Sequence, residues 1–289
     1  MLKPDAGQGR LGKQKLSKGA GDENFPVASW LLPAWARGHV MAFYAFARAA
    51  DEVADAAHLT AADKRRQLHD FAVQLAAGPA GATASRGSDE VVLALRNSLQ
   101  TTAVSVRHAE DLLRAFVWDV DHPRTPDWAA LRAYCDLSAA PVGRYLIELL
   151  GGVEGDDFSA SDCLCAALQI LNHLQDLKDD FRVLNRIYVP ADWMADEGVA
   201  ESELGGAACS PGLRRVVERM LDGVDDLLIA AKPLPGALRS RALAREAAGI
   251  LAVAQGLAQA LRARDPLAGR VALSRPHMAV RFVWGALWS

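Results

Sequence analysis

The sequence has 289 residues, of which 51% are hydrophobic and 23% are charged, with a formal net charge of -3. This length supplies enough apolar side chains for a large core, and the slightly acidic balance does not favour a nucleic-acid-binding protein. It contains no run of about 18 apolar residues, which excludes a membrane-spanning helix, and the first residues lack the apolar core of a secretion signal.

The first 20 residues differ in composition from the rest of the chain. They are rich in glycine, have no hydrophobic period and contain a single acidic residue, Asp5. Such a stretch cannot bury an apolar face, so we predict a flexible basic tail over residues 1–20. Its basic residues are Lys3, Arg10, Lys13, Lys15 and Lys18.

After the tail, apolar residues recur at intervals of three and four between short segments rich in Gly, Pro and Ser. This period is typical of helices, and neither a β-rich region nor an internal repeat interrupts it. We therefore predict one all-α domain over residues 21–289. The predicted helices are 36–57, 60–76, 89–103, 107–120, 127–151 (with a break near Ala140 and Pro141), 160–182, 212–231, 236–264 and 276–288.

The first predicted helix carries a polar ridge, called the first ridge below, made of Tyr44, Arg48, Asp51 and Asp55. Spacings of four, three and four residues place these side chains on one helix face. A surface salt bridge between Arg48 and Asp51 would explain the pattern without any function. The flanking segments, however, are apolar enough to bury much of the helix, where unpaired carboxylates would be costly.

The segment LNHLQDLKDDF, residues 171–181, carries the second ridge: Asn172, Asp176 and Asp180, again four residues apart. A leucine-rich stripe runs beside it and predicts burial of the helix. A solvated helix face is the alternative for this ridge taken alone.

Two acidic ridges on buried helices suggest that they face each other across a cavity. Because carboxylates repel one another, divalent cations would be needed to stabilise that arrangement. Oxygen ligands without a nearby His/Cys set favour Mg²⁺ over Zn²⁺, and Mg²⁺ is commonly completed by substrate phosphates. The predicted ligand is therefore a diphosphate, held by Mg²⁺ and by basic residues such as Arg48.

The spacing of the cysteines does not favour a metal site or a disulfide framework. The cysteines lack CxxC pairing and lie mostly in apolar helical segments, so we interpret them as reduced core residues of a cytoplasmic protein. No GxGxxG motif follows a strand, and no nicotinamide cofactor is predicted. The cysteines are Cys135, Cys163, Cys165 and Cys209.

Three segments together resemble the squalene/phytoene synthase family. FYAFARAADEVAD (43–55) is similar to the family's first DxxxD motif, and NHLQDLKDDFRVLNRIYVP (172–190) is similar to its second. YCDLSAAPVGRYL (134–146) lies between them in the family's order. The resemblance covers about residues 20–230 and implies an isoprenoid-synthase helical bundle with a central cavity.

Within the family, GDENFPVASWLLP (21–33) is most similar to the hydroxysqualene synthase branch of hopanoid biosynthesis. That branch converts presqualene diphosphate and water to hydroxysqualene and diphosphate through a carbocation. The lack of a nicotinamide motif favours water as the terminating nucleophile, because reduction to squalene would need a reductant.

The resemblance implies roles for individual residues, with roughly two or three Mg²⁺ ions bound together with the substrate diphosphate. The implied metal ligands are Asp51, Asp55, Asn172, Asp176 and Asp180, and the four aspartates with Tyr44 are the implied catalytic residues. The implied diphosphate contacts are Arg48, Arg186, Tyr188 and Lys18. The implied substrate pocket is formed by Phe25, Ser29, Phe43, Tyr145, Pro141, Val142 and Gly143.

A few residues need separate interpretation. Asn185 stands where many relatives have Gly, and Asn tolerates the left-handed conformation that such a turn requires. Lys178 either weakens the charge of the second ridge or points to solvent. His173 points about 100° away from Asn172, which favours a structural histidine over a base. Asp119 is interpreted as a partner of a basic residue.

Other activities and contacts stay open. The same metal site would serve condensation of two farnesyl or geranylgeranyl diphosphates to presqualene diphosphate, squalene or phytoene. A scaffold protein on this fold should have lost ridge carboxylates, and none is lost here. The C-terminal helix, with Trp284 and Trp288, either contacts the inner face of a membrane or packs on the bundle. Pathway enzymes are possible partners.

Overall fold

The protein is described by a computed structural model over residues 31–77 and 87–287. Within these ranges the regular structure is helical, apart from two isolated β-bridges, so the all-α prediction is confirmed. The predicted tail lies outside the described residues, and the single-domain organisation stays a prediction. The helices are α1 (Ala34–Asp55), α2 (Ala61–Ala76), α3 (Gly87–Thr102), α4 (Arg107–Asp121), α5 (Trp128–Ser138), α6 (Ala140–Leu149), α7 (Ser159–Asp179), α8 (Ala191–Asp196), α9 (Pro211–Ala231), α10 (Leu234–Ala237), α11 (Arg241–Ala263) and α12 (Arg275–Leu287).

Helix boundaries follow local capping chemistry. The predicted break near Ala140 is present, because α5 ends at Ser138 and Pro141 lies in the first turn of α6. The prediction of one helix over 236–264 is wrong. Ser240 starts a new helix there, since its hydroxyl accepts a hydrogen bond from the backbone N–H of Leu243 at 3.3 Å. Such a cap ends one hydrophobic period and begins another.

The two ridge-bearing helices belong to different packing groups. α1 packs against α2, α3 and α4, whereas α7 packs against α5, α6, α9 and α11. On α1 the buried face includes Phe43 and Phe46, and on α7 it includes Leu171 and Leu174. Each helix thus buries an apolar face in its own group, and α4 and α5 connect the groups.

The C-terminal helix α12 packs lengthwise on α11. Glycine makes this approach possible, because a Cβ at Gly285 would lie 2.6 Å from the backbone oxygen of Ala248. Packing on the bundle, one of the two predicted alternatives, is therefore present on this face of α12. Across the described ranges, no helix has the length and apolar character needed to cross a membrane.

Candidate functional site

The first ridge lies on regular helical backbone in α1. Nη1 of Arg48 donates to Oδ2 of Asp51 at 2.7 Å, so the salt bridge that the spacing allows is present. Burial raises the pKa of Asp51 to about 7, repulsion by Asp55 adds to this, and Arg48 opposes it. Burial and Asp55 therefore disfavour the charged form of Asp51 even beside Arg48, and a further cation would favour that form.

The second ridge lies on a more deeply buried helix. Asp176 is 9% exposed, and Nη2 of Arg270 lies 3.8 Å from its Oδ1. Oδ2 of Asp180 lies 3.5 Å from Nδ1 of His173, and burial raises the pKa of Asp180 while His173 opposes the rise. Asn172 is partly buried on the same helix. Arg270 was not identified from the sequence, because a single arginine in the loop after α11 has no spacing relation to the ridge.

A tight turn follows the second ridge. The chain leaves α7 through a π-helical turn, Asp180–Leu184, and then enters the left-handed conformation at Asn185, with φ 53° and ψ 38°. The prediction that Asn185 keeps this turn is confirmed. The backbone N–H of Arg186 then donates to the backbone oxygen of Asp180 at 3.0 Å, which turns the chain back toward the ridge.

Arg186 connects the two ridges. Its Nη1 donates to Oδ1 of Asp55 at 2.7 Å, and its Nη2 donates to the backbone oxygen of Ala54 at 3.0 Å. Burial opposes its charge, but Asp119 and Asp55 outweigh burial and raise the pKa of the guanidinium. A buried, permanently charged guanidinium therefore pairs with the first ridge at the end of the turn that follows the second ridge.

Behind Arg186, two phenols share one carboxylate. The hydroxyls of Tyr188 and Tyr134 donate to Oδ1 and Oδ2 of Asp119 at 2.8 and 2.9 Å. Burial raises the pKa of Asp119, and Arg186 is the main opposing influence. Tyr188 thus donates its hydrogen bond to Asp119. Because diphosphate oxygens accept hydrogen bonds, the predicted contact with diphosphate would need the Tyr188 hydroxyl to turn away from Asp119. Tyr134 was not singled out, although it stands in the segment that carries the resemblance.

His173 contacts residues of the site, although its side chain points about 100° away from Asn172 on the helix. Its ring stacks on Tyr188 with centroids 3.6 Å apart, and its Nε2 lies 3.1 Å from the amide of Gln169. With Asp180 on its other nitrogen, the histidine has partners on every polar atom, as expected for a structural residue. What the sequence did not show is that the ring contacts a ridge carboxylate, Asp180, and stacks on Tyr188.

The aromatic candidates Phe43 and Tyr145 form a buried pair. Their rings stack with centroids 4.1 Å apart, and the Tyr145 hydroxyl donates to the backbone oxygen of His39 at 3.0 Å. Tyr44 lies one residue further along α1 and is partly buried. The structure therefore brings Phe43 and Tyr145 together, and their contact with substrate stays a prediction.

The residues Pro141, Val142 and Gly143 have different surroundings. Pro141 is buried, whereas Val142 is 41% exposed. At Gly143 a Cβ would lie 2.5 Å from the hydroxyl of Ser161, so glycine lets α6 approach α7. That close packing accounts for Gly143 without a substrate, and the pocket assignment of the three stays a prediction.

Some sequence-based assignments fall elsewhere. Lys18, Phe25 and Ser29 lie outside the described residues. The ammonium of Lys178 donates to the backbone oxygen of Leu267 at 3.2 Å, so the prediction that it simply points to solvent is wrong. The alternative, that Lys178 weakens the charge of the second ridge, stays a prediction.

A polar cavity of about 240 Å³ opens beside Arg186. Lys64, Asp119 and Asn185 contribute polar groups to its wall. Lys64 donates to the same Ala54 carbonyl that Arg186 uses, at 2.8 Å. This lining suits an anion or water better than a hydrocarbon.

The donor set suits Mg²⁺ chemically. In residues 31–77 and 87–287, no three His, Cys, Asp or Glu side chains are gathered into a ready-made metal site. The ridges instead present carboxylate oxygens that are paired with Arg48, Arg186 and Arg270. Oxygen ligands from separate helices, completed by substrate phosphates, are the usual arrangement for Mg²⁺.

Comparisons with known proteins identify the family of the chain. The family model described as squalene/phytoene synthase matches residues 19–277. A hydroxysqualene synthase of Rhodopseudomonas palustris is 37% identical, covering 93% of this chain and 89% of its own. One from Zymomonas mobilis is 38% identical, covering 88% and 84%. A presqualene diphosphate synthase of R. palustris is 30% identical, covering 68% and 70%.

A solved structure gives the same picture of the fold. The squalene synthase HpnC from Alicyclobacillus acidocaldarius superposes with a TM-score of 0.73 at 27% identity, covering 83% of this chain and 88% of its own. The residues that the family model matches, 19–277, include both ridges and the helices that carry them.

Proposed function

Because the chain belongs to the squalene/phytoene synthase family, we propose that it is a hydroxysqualene synthase that converts presqualene diphosphate and water to hydroxysqualene and diphosphate. The observation that carries this proposal is that Arg186 contacts both ridges: its guanidinium pairs with Asp55 of the first, and its backbone N–H bonds to the backbone oxygen of Asp180 of the second. The two R. palustris relatives favour this branch, since the hydroxysqualene synthase is more similar over more of the chain.

We further propose that the enzyme depends on Mg²⁺. Asp51 and Asp55 on one side, with Asn172, Asp176 and Asp180 on the other, would hold the ions. Mg²⁺ bound there supplies Lewis-acid stabilisation of the diphosphate leaving group.

The arginines around the ridges supply the complementary charge. The substrate C–O bond breaks with its electron pair leaving on the diphosphate, so negative charge grows on those oxygens. Arg48, Arg186 and Arg270 can donate hydrogen bonds to them, and guanidinium pairs with phosphate oxygens in a bidentate manner. Water then bonds to the rearranged cation and loses a proton, which gives the alcohol.

The test is product analysis by mass spectrometry. Purified protein with Mg²⁺ is given presqualene diphosphate and, separately, farnesyl diphosphate, with Asp176→Ala as the inactive control. A C30 alcohol from presqualene diphosphate that is missing in the control is the expected result. Presqualene diphosphate formed from farnesyl diphosphate would instead establish the condensing activity. If neither of the two substrates is turned over, geranylgeranyl diphosphate is tested next. If it is not turned over either, both proposed activities are rejected and the scaffold alternative is favoured.

We also propose a peripheral membrane contact through the outer face of α12, which suits a cytoplasmic enzyme with isoprenoid substrates. Val280, Val283, Trp284 and Leu287 are 48–74% exposed and follow the spacing i, i+3, i+4, i+7. Residues 266–287 contain arginine but no acidic residue, which complements an anionic lipid surface. One helix face is also too small for a stable dimer interface.

Vesicle co-sedimentation tests this contact. Binding to vesicles of anionic lipid should fall severalfold in Val283→Glu but not in Ile229→Glu, which changes a similarly exposed apolar residue on α9. Equal binding of both variants would exclude the α12 surface. If the protein forms a concentration-dependent dimer and Val283→Glu dissociates it, the α12 surface binds a second copy of the chain instead of lipid.

A further inference from the structure

Arg186 can serve the diphosphate only if its backbone is held in place, and the turn before it is largely exposed, at Arg182, Val183 and Asn185. The cavity of about 240 Å³ is lined by Asn185 and Arg186. A second cavity, of about 170 Å³, is lined by Ile187, Arg124 and Glu201. Since exposed residues have few packing contacts, hydrogen bonds are expected to hold the turn.

Arg124 supplies those hydrogen bonds. Its Nη1 donates to the backbone oxygen of Asn185 at 2.6 Å, and its Nη2 donates to the side-chain Oδ1 of the same residue at 3.0 Å. Its Nη1 also donates to the backbone oxygen of Pro123 at 2.9 Å. The left-handed residue before Arg186 is thus held by both its backbone and its side chain.

Glu201 orients the guanidinium that makes these contacts. Its two carboxylate oxygens accept from Nε and Nη2 of Arg124, each at 2.9 Å. The planar fork of arginine matches a carboxylate in this bidentate way, which fixes its direction. Backbone bonds complete the frame, since Thr125 donates to Ile187 at 3.0 Å and Ile187 donates to Pro123 at 2.8 Å.

This arrangement also explains why asparagine is suited to the turn. Asparagine adopts the left-handed region more readily than most residues, and here its amide oxygen gains a partner that glycine would lack. Asn185, Arg124 and Glu201 form one unit, which we call the Arg124 clamp.

We propose that Arg124 is a positioning residue that acts through Asn185 to hold the Arg186 guanidinium at the Asp55 end of the first ridge. The proposal rests on the proposed diphosphate chemistry. The side chains of Arg124 and Glu201 are 33% and 53% exposed, so their ion pair contributes little to global stability. The clamp therefore contributes mainly to the position of the Arg186 guanidinium and little to global stability.

The central experiment compares Arg124→Ala with Arg215→Ala. Arg215 is a matched control, because it forms an exposed ion pair with Glu197 at 2.6 Å and does not contact the turn. We expect kcat to fall about ten- to a hundredfold in Arg124→Ala, since misplacement by about 1 Å can cost about a hundredfold. KM should change less, and both variants should have similar melting temperatures. A kcat equal to that of the control would overturn the proposal.

Further variants separate positioning from a general loss of structure. Arg124→Lys should retain intermediate activity, because one ammonium cannot bridge Glu201 and Asn185 in the same way. In an Arg186→Lys background, Arg124→Ala should lower kcat by less than about threefold if Arg124 acts through Arg186. An undiminished cost in that background would show that Arg124 acts by another route.

Hydrogen exchange tests the clamp independently of the reaction. The backbone amides of Arg186 and Ile187 should exchange at least tenfold faster in Arg124→Ala than in Arg215→Ala. This readout holds even if the chain turns over no presqualene diphosphate, in which case only the proposed function fails. Unchanged exchange at both amides would reject the clamp whatever the activity.

Discussion

The two ridges have the same carboxylate spacing but are held by different means. On the first ridge, the partner of Asp51 is Arg48, one turn earlier on the same helix. On the second, Asp176 is approached by Arg270 from the loop after α11, and Asp180 lies in a π-helical turn beyond α7. A partner on the same helix follows from helical geometry, whereas a partner from a distant loop depends on the packing of the whole bundle. Asp55 likewise has a distant partner, Arg186, so we expect Asp51 to be less sensitive than Asp55 or Asp176 to substitutions far from the ridges.

The largest expected effects come from the ridge carboxylates. Asp51→Asn and Asp176→Asn should each lower kcat/KM about a hundred- to a thousandfold, because each removes a charge that helps to stabilise the leaving group. The loss should be greater at Asp176, which is the more buried. Steady-state kinetics over a range of Mg²⁺ concentrations measures both. Asp179→Asn, an exposed neighbour outside the ridge, is the control. A loss at Asp176 no greater than at Asp179 would contradict the metal role.

The second-largest effect is expected from removing Arg270, which comes from the loop after α11. Arg270→Ala should lower kcat/KM about tenfold or more and weaken inhibition by inorganic diphosphate, because it removes a charged hydrogen-bond donor beside Asp176. Arg275→Ala, an exposed arginine in α12, should leave both quantities nearly unchanged. If the two variants behave alike, the second ridge does not depend on this loop.

The charge of the first ridge should appear in the pH dependence of stability when no divalent cation is present. The pKa of Asp51 is raised from 3.8 to about 7 in the folded chain. Asp51 therefore contributes fully to the free energy of unfolding below pH 3.8, and this contribution is lost as the pH rises through about 7. The loss should be on the order of 1–2 kcal/mol of unfolding free energy, reduced from the full shift because the side chain is partly exposed. Urea titrations of wild type and Asp51→Asn, compared between pH 4 and pH 8, isolate this residue. Parallel pH curves for the two proteins would show that the shift is absent.

The smallest expected effect is at Lys178. Lys178→Ala should lower the free energy of unfolding by about 1 kcal/mol, because the carbonyl of Leu267 loses its partner. Turnover should change less than about threefold and its Mg²⁺ dependence should not shift, since the ammonium is bonded to the carbonyl of Leu267. Kinetics and urea titration on the same preparation measure both. A marked shift in Mg²⁺ dependence would return Lys178 to the ridge.

Local features of the sequence predicted most of the fold. Hydrophobic spacing located the long helices and the break before Pro141, and the left-handed turn at Asn185 was anticipated from its residue type. The prediction failed over 236–264, where only the four-residue α10 precedes the cap at Ser240 and the long helix begins at Arg241. Short elements such as α8 were not predicted, because a helix of six residues carries hardly two turns of hydrophobic period.

For the candidate site, the sequence by itself determined which residues share a helix face: the carboxylates of each ridge and the pairing of Arg48 with Asp51. Only the tertiary structure decided that Arg186 reaches Asp55, that Arg270 reaches Asp176, and that Tyr134 and Tyr188 share Asp119. The physical reason is that the helical repeat fixes neighbours three and four residues apart, whereas contacts between distant segments depend on how the helices pack. The Arg124 clamp belongs to the second kind, since its residues come from three segments that meet only in the folded chain.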